Sequence, residues 1–362
     1  TEMLPPEIIE ELCAFEDGRL GFAAERRKIC EAFDAWKTEQ RRGVIAVTGQ
    51  RGSGKSRLMA TVPEWLNSGL PVRRAEMDRE TIEPEAVLAW LMQSTAPEVE
   101  RPAEGWTTDT CIEALSGLPP SLFVVDDLHR AFVRAVGGFK ALRQVLTVMH
   151  AASDRHFWVC GFHGETWAWL EVVRGAVNLG VFRQRIRVDD LDEHRLRDWL
   201  EARARAAGLV LRYQHLAATG LRGTDKIRAE ERARAAYWRL LVDSSRGNPR
   251  VSHAAWLTSL RQGAPGEAAV VLFAQPDSTV LEEAGDMALF LLAAVVVHDG
   301  LPVNLLANVL NISIPEVRTI CRQLQGLGVL SGDAMDSYYQ VVPAWSPVVD
   351  RRLRQRHLLH RV

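Results

Sequence analysis

Short strand-like segments alternate with longer amphipathic stretches along the first half of the chain. The strand-like segments occupy residues 44–48, 72–77, 122–125, 157–160 and 186–188. Between them, apolar residues recur at helical spacing. Strands of a parallel sheet are separated by helices and are often buried on both faces, which makes them continuously apolar. The alternation therefore predicts an α/β fold with a parallel sheet over residues 43–188.

The residues on either side of this region follow a helical pattern. Residues 1–42 are predicted to form a mostly helical N-terminal segment. Residues 191–207 and 229–260 carry apolar positions at helical spacing and no strand pattern, which predicts an all-helical lid over 189–265. The run 261–266 contains Gly and Pro and is predicted to be a linker.

Residues 266–362 predict a further domain. Three helical stretches, 282–297, 303–310 and 314–324, precede a β-hairpin formed by 329–330 and 338–342. Three helices and a hairpin resemble a winged helix. The predicted fold class is therefore α/β, a parallel sheet with a helical lid and a C-terminal winged-helix domain.

A phosphate-binding motif follows the first predicted strand directly. Its eight residues, Gly49, Gln50, Arg51, Gly52, Ser53, Gly54, Lys55 and Ser56, fit the pattern G-x-x-x-x-G-K-S. Glycines let backbone N–H groups point at phosphates, and the following helix adds the positive end of its dipole. We expect Lys55 to reach the β and γ phosphates of ATP and the Ser56 hydroxyl to bind Mg²⁺. The alternative, a glycine-rich turn with an unrelated lysine, is disfavoured because a strand precedes the motif and a helix follows it.

Paired carboxylates end the third predicted strand. Asp126 and Asp127 follow the apolar run 122–125. In a doubly wound sheet the carboxyl ends of the strands lie on the side of the phosphate loop. Asp126 is therefore expected to hold the Mg²⁺ shell, and Asp127 to orient or polarise the attacking water. The alternative for the pair is a helix cap or a turn.

Composition limits the partners and the compartment. A formal net charge of −2 gives no overall attraction to nucleic acid or to an anionic membrane, so either partner would need a local basic patch. The five cysteines form no C-x-x-C pair, which predicts neither a zinc site nor a disulfide framework and fits a reducing, cytoplasmic location. The longest apolar stretch, 287–297, is too short for a membrane span. The chain starts at Thr1, which leaves an upstream segment, even a membrane anchor, open.

Taken together, the loop at 49–56, the strand ending in Asp126 and Asp127, the lid and the C-terminal domain resemble the AAA+ and STAND classes of P-loop NTPase. The likeness is greatest to origin-recognition-type AAA+ proteins and bacterial STAND regulators. This resemblance implies that ATP and Mg²⁺ bind between the α/β core and the lid, and that ATP is hydrolysed to ADP and phosphate. It also implies a homo-oligomer whose assembly depends on nucleotide.

The same resemblance assigns roles outside the loop. The lid segment containing Pro249 and Arg250 is similar to the one that contacts nucleotide, with Arg250 as the arginine that senses the γ-phosphate; the alternative is an exposed arginine at the start of an ordinary helix. His163 follows the fourth strand, where the family usually has Asn, Ser or Thr, so a sensor and a structural histidine both stay open. Arg183 and Arg185, just before the fifth strand, are candidates for an arginine finger acting on a neighbouring subunit, or are surface arginines.

The predicted winged helix favours a protein partner over DNA. Its candidate recognition helix, 314–325, contains Arg318 and Arg322 but also Glu316, and the wing tip 331–337 is acidic. Only the tail, 351–356, is clearly basic.

We therefore predict a slowly hydrolysing ATP switch that couples nucleotide state to self-assembly or partner binding. Asp127 supports slow turnover because fast motors of this family carry a glutamate there. The alternative is an ATP-dependent DNA-binding protein, like those of origin recognition or transposition regulation. A third alternative is a nucleotide-binding scaffold with negligible hydrolysis.

Overall fold

The computed structural model describes residues 3–14, 21–39, 42–173, 175–217, 223–333, 335 and 337–360. The chain divides into two compact units. The first, which contains the motif, comprises residues 22–188, 280–342 and 349–362, and the second comprises 1–21, 189–279 and 343–348. Both units combine segments that are far apart in sequence. The four domains proposed from the sequence, with divisions after residues 42, 188 and 265, stay a prediction.

A five-stranded parallel sheet forms the centre of the first unit. Its strands are β1 (Val44–Gly49), β2 (Val72–Glu76), β3 (Leu122–Asp126), β4 (Phe157–His163) and β5 (Gln184–Arg187). Their order in the sheet is β2-β3-β4-β1-β5, and every pair is parallel. The predicted parallel α/β fold is confirmed.

Helices cover both faces of this sheet, which is why β1, β3 and β4 are buried along their whole length. On one face, Ile45 and Val47 of β1 pack with residues of helices Ala23–Glu39 and Lys55–Leu66. On the other face, Val44 and Ala46 belong to a cluster that includes residues of four further helices. Those helices are Pro84–Thr95, Thr108–Gly117, Lys140–Ala151 and Gly164–Val172. Successive β1 side chains therefore serve opposite layers of the core.

The C-terminal residues of the first unit contain the predicted helices and hairpin. The helices are Asp286–His298, Val303–Leu310 and Ile314–Gly326. Strands Leu330–Gly332 and Tyr338–Val341 pair antiparallel, and Leu301–Pro302 adds a third strand that the sequence did not indicate. Two residues are too few to give a periodic signal. In the predicted wing tip, Asp336 lies outside the described residues.

The second unit is not purely helical. Its helices are Pro6–Ala14, Glu193–Ala206, Gly223–Ser245 and Pro249–Ser259, and two further helices, Thr279–Glu282 and Ser346–Gln355, lie partly within it. A small sheet joins Val210–Arg212, Glu267–Val270 and Leu260–Gln262. The all-helical prediction for 189–265 is therefore wrong at the two three-residue strands, which are too short to interrupt a helical pattern.

The predicted linker at 261–266 is also wrong. Leu260 pairs with Val270 and Gln262 with Ala268 in an antiparallel ladder, so this run is the end of one strand and the turn of a hairpin. Gly266 supplies a positive φ in the turn, which explains its glycine. Within the residues that the structure describes, no helix is long and apolar enough to cross a membrane.

Candidate nucleotide-binding site

The motif forms a tight loop between β1 and helix Lys55–Leu66. Gly52 and Gly54 have φ values of 78° and 91°, in the left-handed region that favours glycine. A Cβ on Gly49 would lie 2.5 Å from the Ser53 Oγ. The backbone geometry therefore favours glycine at these three positions of the loop. The helix that follows directs its N-terminus at the space that the loop surrounds.

Lys55 joins both predicted carboxylates. Its Nζ lies 2.5 Å from an oxygen of Asp126 and 2.7 Å from an oxygen of Asp127. The side chain is buried, and although burial opposes its charge, attraction to Asp126 and Asp127 outweighs this, so the pKa of Lys55 is raised. The structure thus brings three predicted site residues together, with the lysine bound to the carboxylates.

A glycine in β4 makes this contact possible. β4 lies between β1 and β3 in the sheet, so Asp126 has to cross it to reach Lys55. The Asp126 side chain crosses β4 at Gly161, which lies opposite Val47 of β1. A Cβ on Gly161 would lie only 2.0 Å from the Asp126 Oδ1. The sequence analysis missed Gly161, although a glycine inside a buried strand is a signal of close approach.

Asp127 has an unusual backbone conformation. Its φ is 54°, in the left-handed region, and its N–H donates to Asp126 Oδ1 at 2.8 Å. Aspartate tolerates this region better than most residues, and such conformations cluster at functional sites. The chain then enters a 3₁₀ turn, Leu128–Ala131.

The donor set fits a magnesium nucleotide. Ser53 Oγ is buried and has no hydrogen-bond partner among the described residues, so the loop holds a polar atom without a partner. Ser56 is exposed on the first turn of the helix, and Asp126 is the nearby carboxylate. No group of three or more His, Cys, Asp or Glu in the described part of the chain could hold a metal by itself. Mg²⁺ at phosphate sites commonly uses one or two carboxylates together with phosphates and water, which matches this set.

A family model described as "AAA domain" matches residues 38–162. This range contains the loop, Lys55, Asp126, Asp127 and most of β4. Residues 38–162 are therefore similar to an AAA domain. No curated protein matches the chain.

Several solved structures are similar to the chain over most of its length. The ORC2 protein of Aeropyrum pernix, in ADPNP–ADP complexes, is 14% identical with a TM-score of 0.47, covering 95% of this chain and 99% of its own. Cdc6p of Pyrobaculum aerophilum is 13% identical with a TM-score of 0.40, covering 98% and 100%. The RuvB Holliday junction branch migration motor of Thermotoga maritima is 13% identical with a TM-score of 0.37, covering 94% and 96%. Because these identities and TM-scores are low, the interpretation of residues 49–56 as a phosphate-binding loop depends on the family match and on the geometry of the loop.

The phosphate loop contacts residues of the C-terminal helices. Arg51 donates to the side chain and to the backbone carbonyl of Asp299, both at 3.0 Å. Gln50 donates to Glu165 at 2.7 Å, and Glu165 also pairs with Arg354. Burial raises the pKa of Glu165, while the Arg354 guanidinium opposes this rise. All of these residues belong to the first unit.

The sequence analysis missed the partners in these contacts. Gln50 and Arg51 occupy the unspecified positions of the motif, where any residue satisfies the pattern. Glu165, Asp299 and Arg354 show no local signal, because they become neighbours of the loop only through the fold.

His163 belongs to the same set of contacts. It lies beside Gly49 in the sheet, and its Nε2 is 3.0 Å from the carbonyl oxygen of Val296. Because a carbonyl oxygen only accepts, Nε2 carries the proton. The nearby Thr166 hydroxyl donates to Val297. These contacts support the structural alternative for His163, and its sensor role stays a prediction.

The two candidate finger arginines differ. Arg185 donates to Thr48 at 3.0 Å and to Glu171 at 3.3 Å, and its guanidinium lies 5.5 Å from the centre of the Trp167 ring. Arg183 is exposed, and no hydrogen bond or ion pair connects its side chain to the residues that the structure describes. Of the two, Arg183 is therefore the more exposed and the less constrained by the described residues. The finger role of either residue stays a prediction.

Pro249 and Arg250 lie in the second unit. They begin helix Pro249–Ser259, where the Asn248 side chain caps the backbone N–H groups of Arg250 and Val251. Arg250 is exposed. The preceding Gly247 has a positive φ, and a Cβ on it would lie 2.2 Å from the Leu191 carbonyl oxygen. The helix start is therefore closely defined, and the sensor role of Arg250 stays a prediction.

Proposed function

We propose that the protein is a cytoplasmic ATPase switch. It binds ATP and Mg²⁺ at residues 49–56, hydrolyses ATP slowly, and uses nucleotide state to control how residues 280–342 are held. We interpret those residues as a winged helix. The observation that carries the proposal is the Arg51–Asp299 contact, because it links the phosphate loop itself to the C-terminal helices.

The chemistry begins with an exchange of partners at Lys55. Its ammonium, now shared by Asp126 and Asp127, is the cation that a β or γ phosphate requires. Transfer of the lysine to phosphate leaves both carboxylates without their main partner. Asp126 is then available to hold Mg²⁺ with Ser56, and Asp127 to accept a hydrogen bond from the attacking water. The Asp127 side chain is shorter than that of a glutamate, which supports slow rather than fast turnover of ATP.

The coupling follows from the position of Arg51 in the chain. Arg51 lies between Gln50 and Gly52, so any movement of the loop around a phosphate also moves the donor to Asp299. A ligand shifts a conformational equilibrium only by the difference in its affinity for the two states. The contacts of Gln50, Arg51 and His163 supply such a difference if they weaken when the loop is filled.

The consequence of the switch is self-assembly or binding of a protein partner. In an assembly, the exposed Arg183 is the better placed of the two candidates to act on the site of a neighbouring subunit. The alternative, DNA binding, has less support. Arg354 of the basic tail pairs with Glu165 and Asp350, and Arg356 pairs with Asp286, so half of the four tail arginines are already neutralised.

The test is hydrogen exchange of helix Asp286–His298 with and without ATP and Mg²⁺. We expect faster amide exchange at its C-terminal end with nucleotide. Arg51→Ala should produce the same change without nucleotide, whereas the exposed Arg79→Ala serves as a control and should not. Identical exchange in all nucleotide states would refute the coupling. ATP affinity measured on the same samples shows separately whether the site binds.

A further inference from the structure

His129 is a buried histidine beside the catalytic carboxylate. It lies in the turn Leu128–Ala131, and its side chain is 1% exposed. Neither ring nitrogen has a hydrogen-bond partner within the described part of the chain. Buried polar groups are nearly always paired, so an unpaired ring at this position requires an explanation.

The surroundings of the ring oppose a positive charge on it. The Nδ1 of His129 lies 3.7 Å from Oδ1 of Asp127. The ring centre of His163 lies 5.8 Å away. Burial, together with His163, Lys55, Arg130 and His298, lowers the pKa of His129 well below its usual value. The ring is therefore neutral and carries one N–H donor and one acceptor nitrogen.

Lys55 donates the hydrogen bond that Asp127 accepts in this structure. Its Nζ lies 2.7 Å from the same Oδ1 that faces His129. The other nearby cation, Arg130, is 3.8 Å from Oδ2, beyond hydrogen-bond distance. If Lys55 moves to a phosphate, Asp127 loses its only side-chain donor among the described residues. The Nδ1 of His129 then lies 3.7 Å from the oxygen that Lys55 has left.

We propose that His129 is a positioning residue for Asp127. When Lys55 turns to nucleotide, the Nδ1–H of His129 donates to Oδ1 and fixes the carboxylate for the attacking water. The approach needed is about 0.8 Å, from 3.7 Å to the ~2.9 Å of an ordinary N–H···O bond. The inference rests on the proposed nucleotide chemistry.

Three substitutions separate this role from simple filling of space. His129→Phe keeps an aromatic ring and removes both nitrogens. The amide nitrogen of His129→Asn lies close to the position of Nδ1, and that of His129→Gln close to Nε2. We expect His129→Phe to reduce kcat for ATP hydrolysis roughly tenfold or more, with Kd for ATP within about twofold of wild type. His129→Asn should recover much of kcat, and His129→Gln should not.

Two measurements do not depend on turnover. Without nucleotide, His129→Phe should melt at or above the wild-type temperature, because it removes an unpaired buried polar group. In ¹⁵N spectra of ring-labelled protein, the Nδ1–H of His129 should show a hydrogen-bonded proton only with a non-hydrolysable ATP analogue and Mg²⁺.

Each outcome decides a different question. A wild-type kcat in His129→Phe, or ring signals unchanged by the analogue, would overturn the role of His129 while leaving the nucleotide site intact. If kcat is low in His129→Phe and equally low in His129→Asn and His129→Gln, the ring acts only by packing, which also contradicts the proposal. If wild-type protein does not bind ATP, the proposed function fails first. If ATP binds without hydrolysis, the ring signals decide.

Discussion

Two sets of acidic side chains hold the phosphate loop region, and they differ in what a ligand does to them. Asp126 and Asp127 neutralise Lys55, the residue that we propose binds phosphate. Glu165 and Asp299 hold the side chains of Gln50 and Arg51, which occupy positions that the motif leaves unspecified. In the proposed switch, nucleotide would replace the first set of contacts, whereas the second set could persist or weaken. The proposal therefore assigns competition with nucleotide and coupling to the C-terminal helices to different residues of one eight-residue motif.

The largest expected effect comes from removing the cation of the first set. Lys55→Ala should weaken ATP affinity at least roughly tenfold, because a charge-assisted contact to phosphate is lost. It should also lower the free energy of unfolding without nucleotide by about 3 kcal/mol, since Asp126 and Asp127 are left without their cation. Calorimetry and chemical denaturation measure the two effects. The exposed Lys140→Ala serves as the control, and unchanged ATP affinity in folded Lys55→Ala would disprove the site.

The two carboxylates of the first set should separate by function. Asp127→Asn keeps its volume but cannot take a proton from water, so we expect ATP binding to persist and hydrolysis to fall about 100-fold. Asp126→Asn should instead weaken binding only when Mg²⁺ is present. Turnover assays and binding with and without Mg²⁺ measure these effects. A wild-type rate in Asp127→Asn would make Asp127 structural.

Within the second set, the contact of Glu165 should contribute more to the free energy of unfolding than the contact of Asp299. Arg354→Ala leaves the buried Glu165 carboxylate with Gln50 as its one remaining hydrogen-bond partner among the described residues, so we expect a loss of about 2 kcal/mol of unfolding free energy. Arg51→Ala should lose under about 1 kcal/mol, because its side chain is 32% exposed and solvent screens the pair. Denaturant titration measures both variants. Equal losses would mean that burial does not distinguish the two contacts.

The free energy of unfolding should depend on pH because of His298, which directly precedes Asp299 of the second set. Burial, with Arg134 and His163, lowers the pKa of His298 from 6.5 to about 3. The unfolded chain then binds the proton more readily than the folded one, so stability falls as pH drops through 6.5 and continues to fall until about 3. The contribution is about 1.4 kcal/mol for each pH unit in this window.

A substitution tests the contribution of His298. Its Nε2 accepts from the N–H of Arg134, and the amide oxygen of His298→Gln can replace that acceptor without titrating. Denaturation between pH 7 and 4 should therefore show a shallower loss of stability in His298→Gln. The exposed His215→Gln serves as the control and should follow the wild-type curve. A slope unchanged by His298→Gln would assign the pH dependence to other groups.

The sequence predicted the parts of this molecule that have local patterns. The parallel sheet followed from alternating segments, and the loop from its glycines, of which Gly52 and Gly54 have positive φ values in the structure. The closeness of Asp126, Asp127 and Lys55 followed from the general rule that strand ends meet at one edge. The sequence did not indicate that the lysine would be bound to the carboxylates, because this depends on which ligand is present.

The contacts outside the motif could not be predicted, since they join residues far apart in sequence. Asp299 ends a helix more than two hundred residues after Arg51, and only the packing of that helix brings them together. Gly161 and His129 are different cases. A glycine inside a buried strand and a histidine two residues after Asp127 were visible in the sequence, but neither belongs to a motif that assigns it a partner.

The discontinuous composition of the first unit has a consequence for synthesis. Glu165 leaves the ribosome 189 residues before Arg354, its buried partner. During that interval the sheet and the loop can form, but Glu165 lacks its cation, and Arg51 awaits Asp299. Multidomain chains commonly fold from the N-terminus as they emerge. In this protein the phosphate loop is translated well before Asp299 and Arg354, so it reaches its final set of contacts only after both of those residues have been made.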